Sequence, residues 1–110
     1  MDMIFYGRGV YIDTSDNTVI LGNKTYVSIR VQGSSENIDN IIVKQNGVTI
    51  SVLDISDLDL NNVATLLSDP IVENTTFTVE VNYVGVDNPI TATKQVTIGS
   101  AVFIGIIDKF

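Results

Sequence analysis

The carboxylates that could hold a metal ion gather in one predicted connection between strands: Asp54, Asp57 and Asp59. From Asp57 onward, oxygen-bearing side chains alternate as they do at the start of a calcium-binding loop. The sixth position of that loop requires glycine but holds Asn62, and the twelfth requires glutamate but holds Ser68. These three aspartates are therefore calcium candidates with an incomplete ligand set. A solvated connection rich in Asp and Asn, with helix-capping roles, is the favoured interpretation.

Catalytic chemistry has few side chains available. The chain has no Cys and no His, which removes the thiolate nucleophile and the commonest general base and metal ligand. The serines have no histidine partner, and the carboxylates lie in predicted turns where nothing would raise a pKa. A net charge of −7 repels nucleic-acid phosphates, and no apolar run reaches the length of a membrane span. The sequence predicts a protein that is not an enzyme, needs no cofactor and binds neither nucleic acid nor membrane.

Four tyrosines could form a platform for a sugar or a protein: Tyr6, Tyr11, Tyr26 and Tyr83. Tyr83 continues an apolar alternation and is expected in the core. Tyr26 lies opposite the apolar face of its own predicted strand, which makes it the better exposed recognition candidate. Packing at the core or rim is the alternative for the set as a whole.

The element that must position these groups is an antiparallel hairpin around Asn46-Gly47, a dipeptide typical of two-residue turns. Gln45 would then face Val48, and Lys44 would face Thr49. That register places four apolar side chains on one face: Ile41, Val43, Ile50 and Val52.

Alternating apolar residues predict two further strands, over Lys24–Gln32 and Thr75–Val84. A strand over Ile90–Ile98 has Lys94 within its apolar row, which indicates a sheet edge or a bulge. Helical spacing after Asn61 or Asn62 predicts one short helix, because Val63, Leu66 and Leu67 recur on one side. The fold class predicted is all-β: an immunoglobulin-like antiparallel β-sandwich with one short helix, with a small β-barrel as the alternative.

The two ends of the chain are unusually apolar. Residues 1–110 are expected to form a single sandwich domain, with residues 1–9 and 100–110 as terminal strands engaged in assembly. The predicted assembly interface has six members: Ile4, Phe5, Tyr6, Val102, Phe103 and Ile104. Such segments are either the first and last strands of the domain or contacts to a neighbouring chain.

The ending from Lys94 to Gly105 resembles a boundary in modular tail, neck and fibre proteins of bacteriophages. In those modules the last strand of an immunoglobulin-like domain runs into an apolar, aromatic–Gly segment. The hairpin Val43–Ser51 and the strand Phe77–Tyr83 also fit such modules. The resemblance implies a structural virion component that assembles with copies of itself or with other virion proteins, with no catalytic residues to transfer.

Two functions follow. The first is a non-enzymatic virion protein that forms a homo-oligomer through sheet edges and apolar ends, located in the virion. The alternative is a bacterial surface or extracellular module that recognises carbohydrate or protein through Tyr26 and loop tips.

Overall fold

In the computed structural model, residues 8–33 and 36–99 are described. They form eight strands and one 3₁₀ turn: β1 Arg8–Thr14, β2 Thr18–Val19, β3 Tyr26–Gly33, β4 Ile38–Gln45, β5 Val48–Leu53, the turn Ile55–Asp57, β6 Val63–Leu67, β7 Thr75–Tyr83 and β8 Ile90–Ile98. No helix within these residues is long and apolar enough to cross a membrane.

The strands form two sheets that pack face to face. One sheet has three strands in the order β1-β3-β6, and the other has five in the order β2-β8-β7-β4-β5. All pairs are antiparallel except β2–β8, which is parallel. Two separate sheets make the molecule a sandwich, so the predicted fold class is confirmed and the barrel alternative is wrong.

The core lies between the sheets and follows the period-two alternation of the central strands. On β3 the buried side chains are Val27, Ile29 and Val31, and Thr25 just before the strand is buried as well, as the alternation over Lys24–Gln32 predicted. On β7 they are Thr75, Phe77, Val79, Val81 and Tyr83, which confirms Tyr83 as a core residue. The buried Ile71 closes the core from the segment before β7.

The predicted hairpin is present, but its register changes part-way along. Asn46 and Gly47 have φ of 51° and 83°, as a tight turn requires. Gln45 then pairs with Val48 and Lys44 with Thr49, after which a β-bulge shifts the register. The bulge makes Leu53, and not Val52, the partner of Ile41. Val52 is consequently 63% exposed, which contradicts the predicted core position, while Leu53 packs against the core.

The helix predicted after Asn61 or Asn62 is wrong. Residues Val63–Leu67 form β6, which pairs with β3 and places Ala64 in the core. A helix of five residues gains little from its few internal hydrogen bonds, whereas the open side of β3 supplies a full ladder. Within the described residues, the helical structure is limited to the 3₁₀ turn Ile55–Asp57, which is capped by Asp54.

Lys94 lies on the core-facing side of β8, as its place in the apolar row predicted. Beyond β8 lies only the two-residue β2, so most of β8 forms an edge, and its register with β7 has no bulge. The ammonium contacts Asn17 Oδ1 at 2.7 Å and Asp13 Oδ1 at 3.3 Å. Lys94 thus reaches across the opening between the sheets, from β8 to β1.

Candidate functional site: the outer face of the three-stranded sheet

The outward side chains of β1, β3 and β6 form one continuous surface, which we name the Tyr11–Tyr26 face. Strand pairing arranges it in four rows: Gly9 beside Gln32; Tyr11 beside Arg30 and Val63; Asp13 beside Ser28 and Thr65; Tyr26 beside Leu67. Alternation along each strand sends the intervening residues into the core and leaves these side chains towards solvent. The face therefore combines two aromatic rings, one guanidinium and several neutral polar groups.

Tyr11 is held in place by its cross-strand neighbours. The guanidinium carbon of Arg30 lies 4.8 Å from the centre of the Tyr11 ring, which is cation–π range. The Tyr11 hydroxyl donates to Gln32 Oε1 at 2.9 Å. Gly9 makes room for this arrangement, because a Cβ there would lie 2.9 Å from the same Gln32 oxygen. The ring and the guanidinium are thus positioned together before any ligand binds.

Tyr26 provides the second aromatic side chain and is 55% exposed, as the sequence predicted. It is four residues from Arg30 on β3, which corresponds to about 13 Å along a strand. Leu67, 47% exposed, lies directly opposite it. A shallow depression of about 420 Å³ lies over the second and third rows, and its lining includes Tyr11, Arg30 and Ser28. Of the four candidate tyrosines, Tyr11 and Tyr26 are exposed on this face, Tyr83 is in the core and Tyr6 lies outside the described residues, so a binding platform stays a prediction.

The charge balance of the Tyr11–Tyr26 face differs from that of the acidic chain. Asp13 is its one carboxylate, and Lys94 neutralises it at 3.3 Å. Two ion pairs are formed among the described residues, Lys94–Asp13 and Lys44–Glu80, so Arg30 belongs to neither. The face accordingly carries a guanidinium whose charge is not matched by a neighbouring carboxylate in the described part of the chain.

The three calcium candidates serve the backbone in this structure. Asp54 accepts a hydrogen bond from the Ser56 amide, and Asp57 accepts one from the Asp54 amide at 2.9 Å. Asp59 accepts from the amides of Asn61 at 2.7 Å and Val63 at 3.0 Å. No group of three or more acidic, His or Cys side chains is placed to hold a metal within residues 8–33 and 36–99. The capping roles anticipated for this segment are confirmed at Asp54 and Asp57.

In the described part of the chain, two aspartates have a lowered pKa. The Ser56 hydroxyl and amide lower the pKa of Asp54, and the Thr14 amide, followed by Lys94, lowers the pKa of Asp13. A carboxyl whose pKa is lower in the folded state stabilises the fold above its unfolded pKa. That contribution is lost as the pH falls through the folded-state pKa.

An NMR titration of the carboxyl carbons is expected to give both aspartates midpoints below the ordinary Asp value. Ser56→Ala should raise the pKa of Asp54 and leave that of Asp13 unchanged, because the two groups have separate donors. Lys94→Met should do the reverse. If both variants moved both midpoints equally, the local hydrogen bonds would not be the cause.

The six residues of the predicted assembly interface all lie outside the described residues: Ile4, Phe5, Tyr6, Val102, Phe103 and Ile104. Their role stays a prediction. A second surface relevant to assembly is described, namely β5, which forms one edge of the five-stranded sheet. This strand has no charged side chain, and Val48 and Val52 are 65% and 63% exposed.

Sequence reasoning had no means of pairing Tyr11 with Arg30. Both residues occur in alternating segments, but their contact depends on β1 pairing with β3 in one particular register. The alternation of Tyr26, Ser28, Arg30 and Gln32 was the available signal, since it placed Arg30 on the exposed side.

Comparisons with known proteins bear on the fold. No family model matches the chain, and no curated protein matches it. The sulfur carrier protein SoxY from Chlorobium limicola f thiosulfatophilum is similar in structure, with a TM-score of 0.63, 15% identity, and coverage of 81% of this chain and 74% of that one. The fibronectin(III)-like modules of Clostridium thermocellum CbhA give a TM-score of 0.59 at 9% identity, covering 81% of this chain and 94% of theirs. The fold is an immunoglobulin-like β-sandwich.

Similar sandwiches also occur inside much longer chains. A polysaccharide lyase matches with a TM-score of 0.55 and 18% identity, over 84% of this chain and 12% of the lyase. The endo-β-1,4-mannanase from Thermotoga petrophila matches with a TM-score of 0.55 and 12% identity, over 84% of this chain and 20% of the mannanase. At such identities the likeness establishes the immunoglobulin-like fold alone. It supports the fold that the phage resemblance implied, and the virion role stays a prediction.

Proposed function

We propose that this immunoglobulin-like β-sandwich is a non-enzymatic recognition module that binds its ligand on the Tyr11–Tyr26 face. The observation that carries the proposal is the exposure of two tyrosines on one sheet face, with Arg30 stacked on the first. Tyrosine combines a large apolar ring with a polar tip, which suits it to binding surfaces. The described carboxylates of the loop 54–59 cap backbone amides, which favours a binding role over catalysis.

The molecular context we propose is a module of a larger extracellular or cell-surface protein. Sandwiches of similar fold form small parts of a polysaccharide lyase and a mannanase, which supports a carbohydrate-rich setting. Recognition would then reside in this module and catalysis, where present, elsewhere.

The test is a panel of immobilised glycans and surface proteins probed with the whole chain, with Tyr26→Ala and with Thr78→Ala. Thr78 lies on β7, on the outer face of the opposite sheet, and serves as the matched control. We expect Tyr26→Ala to weaken binding at least fivefold and Thr78→Ala to leave it unchanged. Silence across the panel, or equal binding by all three proteins, would overturn the recognition proposal.

A second candidate is a structural virion protein that forms a homo-oligomer through its edges. The observation that favours it is β5, an uncharged edge strand with two exposed valines. Soluble proteins usually protect such edges with charge or proline, because the unpaired backbone groups accept another strand. The bulge beyond Thr49 limits pairing on one half of β5 and leaves the other half available.

Sedimentation across a concentration series separates the two candidates. Assembly through β5 predicts a defined oligomer that Val52→Lys dissociates without lowering the melting temperature of the monomer, because the Val52 side chain is mostly exposed. Removal of residues 101–110 tests the contribution of the apolar end. A chain that stays monomeric at high concentration would contradict the virion assembly candidate.

A further inference from the structure

We infer that the ligand of the Tyr11–Tyr26 face is an acidic polysaccharide, whose carboxylate is bound by Arg30 and one of whose sugar rings stacks on Tyr26. This inference rests on the proposed function and adds to it the chemical class of the ligand. The inference is drawn from three features of the face: the guanidinium of Arg30, the charges around it and the position of the aromatic rings.

The guanidinium of Arg30 is held in a defined place yet remains available to a ligand. Its carbon Cζ lies over the Tyr11 ring, 4.8 Å from the ring centre. Its N–H groups donate no hydrogen bond within the described part of the chain, and a planar fork of this kind matches a carboxylate in bidentate fashion. Neither ion pair formed among the described residues involves Arg30.

The charge of the face complements an anion despite the overall charge of −7. Its one carboxylate, Asp13, already contacts the Lys94 ammonium at 3.3 Å. On the outer face of the opposite sheet, by contrast, Lys44 is paired with Glu80 at 3.1 Å. The other described carboxylates lie in connecting segments and at the start of β4. Two of them border the face, where Asp59 accepts a hydrogen bond from the Val63 amide at 3.0 Å and Asp16 accepts one from the Thr25 hydroxyl at 3.3 Å. Among the described residues, Arg30 is therefore the cation on this face that stays outside an ion pair and can bind the carboxylate of an anionic chain.

The distribution of aromatic and polar groups fits a sugar chain better than an extended acidic peptide. One face of a pyranose ring is largely C–H, and covering it with an aromatic ring removes apolar surface from water. Tyr26 supplies such a surface about 13 Å along β3 from Arg30, whereas the Tyr11 ring is covered on one side by the guanidinium. Neutral hydrogen-bonding groups lie between Tyr26 and Arg30, namely Ser28 and Thr65. An extended peptide binds chiefly through the backbone of an edge strand, so it would add beside β1 or β6 and not lie across the rows of the face.

The test uses a hexamer of galacturonic acid and its methyl ester, which has the same sugar rings without the carboxylate charge. Titration into the ¹⁵N-labelled chain is followed by amide shifts, with affinities from calorimetry. We expect the acid form to shift amides of β1, β3 and β6, and to bind at least tenfold more tightly than the ester. Binding of the acid form should weaken as salt is raised, because a charge pair is screened.

Variants identify the residues responsible. Arg30→Gln should lower the affinity for the acid form about tenfold or more and leave that for the ester unchanged. Tyr26→Ala should weaken both forms. Lys44→Gln removes a cation from the other sheet and should change neither. Unchanged melting temperatures would show that the variants remain folded.

Three outcomes would overturn the inference. Equal binding of acid and ester, insensitive to Arg30→Gln, would mean that the face binds neutral glycans, so the recognition function would stand and the acidic class would fall. Equal binding of a hexaglutamate peptide would indicate unspecific charge attraction. If neither saccharide shifts the amides of the face, the acidic-glycan site is absent, whereas the proposed recognition function fails only when the whole panel is also silent.

Discussion

Replacing Phe77 by alanine is expected to lower the free energy of unfolding by about 3–5 kcal/mol. Phe77 is fully buried on β7, a central strand, and belongs to the main core cluster. Removing its ring loses the free energy gained by burying a large apolar surface. It also leaves a cavity, which the neighbouring strands cannot close because their hydrogen-bond ladders hold them in place. A domain of this size has about 5–15 kcal/mol of stability in all, so the loss is a large fraction of it.

Urea unfolding monitored by circular dichroism measures this change. Thr78→Ala is the matched control, since Thr78 is the next residue on β7 and faces outward, and it should cost about 1 kcal/mol or less. A loss below about 1 kcal/mol for Phe77→Ala would contradict a close-packed core around this ring.

Replacing Ser68 by alanine is expected to cost about 1–3 kcal/mol, a large effect for the loss of one hydroxyl. Ser68 is 2% exposed, and its Oγ accepts a hydrogen bond from the buried Thr25 amide at 3.0 Å. The same hydroxyl donates to the Asp69 carbonyl at 2.8 Å. Alanine would leave the Thr25 N–H without an acceptor in a place that water does not reach.

Hydrogen exchange supplies the specific readout for Ser68. In Ser68→Ala the Thr25 amide should lose protection against hydrogen exchange. Amides in the middle of β7 should still exchange only through global unfolding of the variant. Ser28→Ala is the control, because Ser28 is half-buried on the outer face and its Oγ lies 3.5 Å from Thr65 Oγ1. Equal destabilisation by the two serine variants would show that the buried amide is not the cause.

The parts of the fold that could be predicted from sequence are those governed by local alternation. β3 and β7 were predicted with their core residues because each alternates apolar and polar side chains over eight or nine positions. The Asn46-Gly47 turn was equally local, since both residues need positive φ.

The errors arose where a neighbouring element decides the outcome. Val63–Leu67 satisfies both helical and strand spacing, and only the open side of β3 selects the strand. The bulge in β5 brings Leu53 opposite Ile41, which an uninterrupted pairing from the turn cannot anticipate. Ile71 is an isolated apolar residue in a connection, so no periodicity marks it as buried.

The residues of the candidate site also divide into those that local alternation predicts and those that depend on a neighbouring element. Tyr26 was predicted to be exposed because it lies opposite the apolar face of its strand, and the structure confirms this. The partnership of Tyr11 with Arg30 required the pairing of two strands that the sequence does not specify. Ser68 gave no signal, because its importance depends on the burial of an amide 43 positions earlier.

The parallel pairing of β2 with β8 has a consequence for how the chain folds. It joins Thr18 to Thr97 across 79 positions, and the Lys94–Asn17 contact spans 77. During synthesis, β2 has no strand partner until nearly all of the described chain has left the ribosome. Chain closure over such separations is entropically costly, and domains dominated by distant contacts fold in roughly milliseconds to seconds. We therefore expect the pairing of β2 with β8 to form last, after the β4–β5 and β7–β8 hairpins and the pairing of β4 with β7.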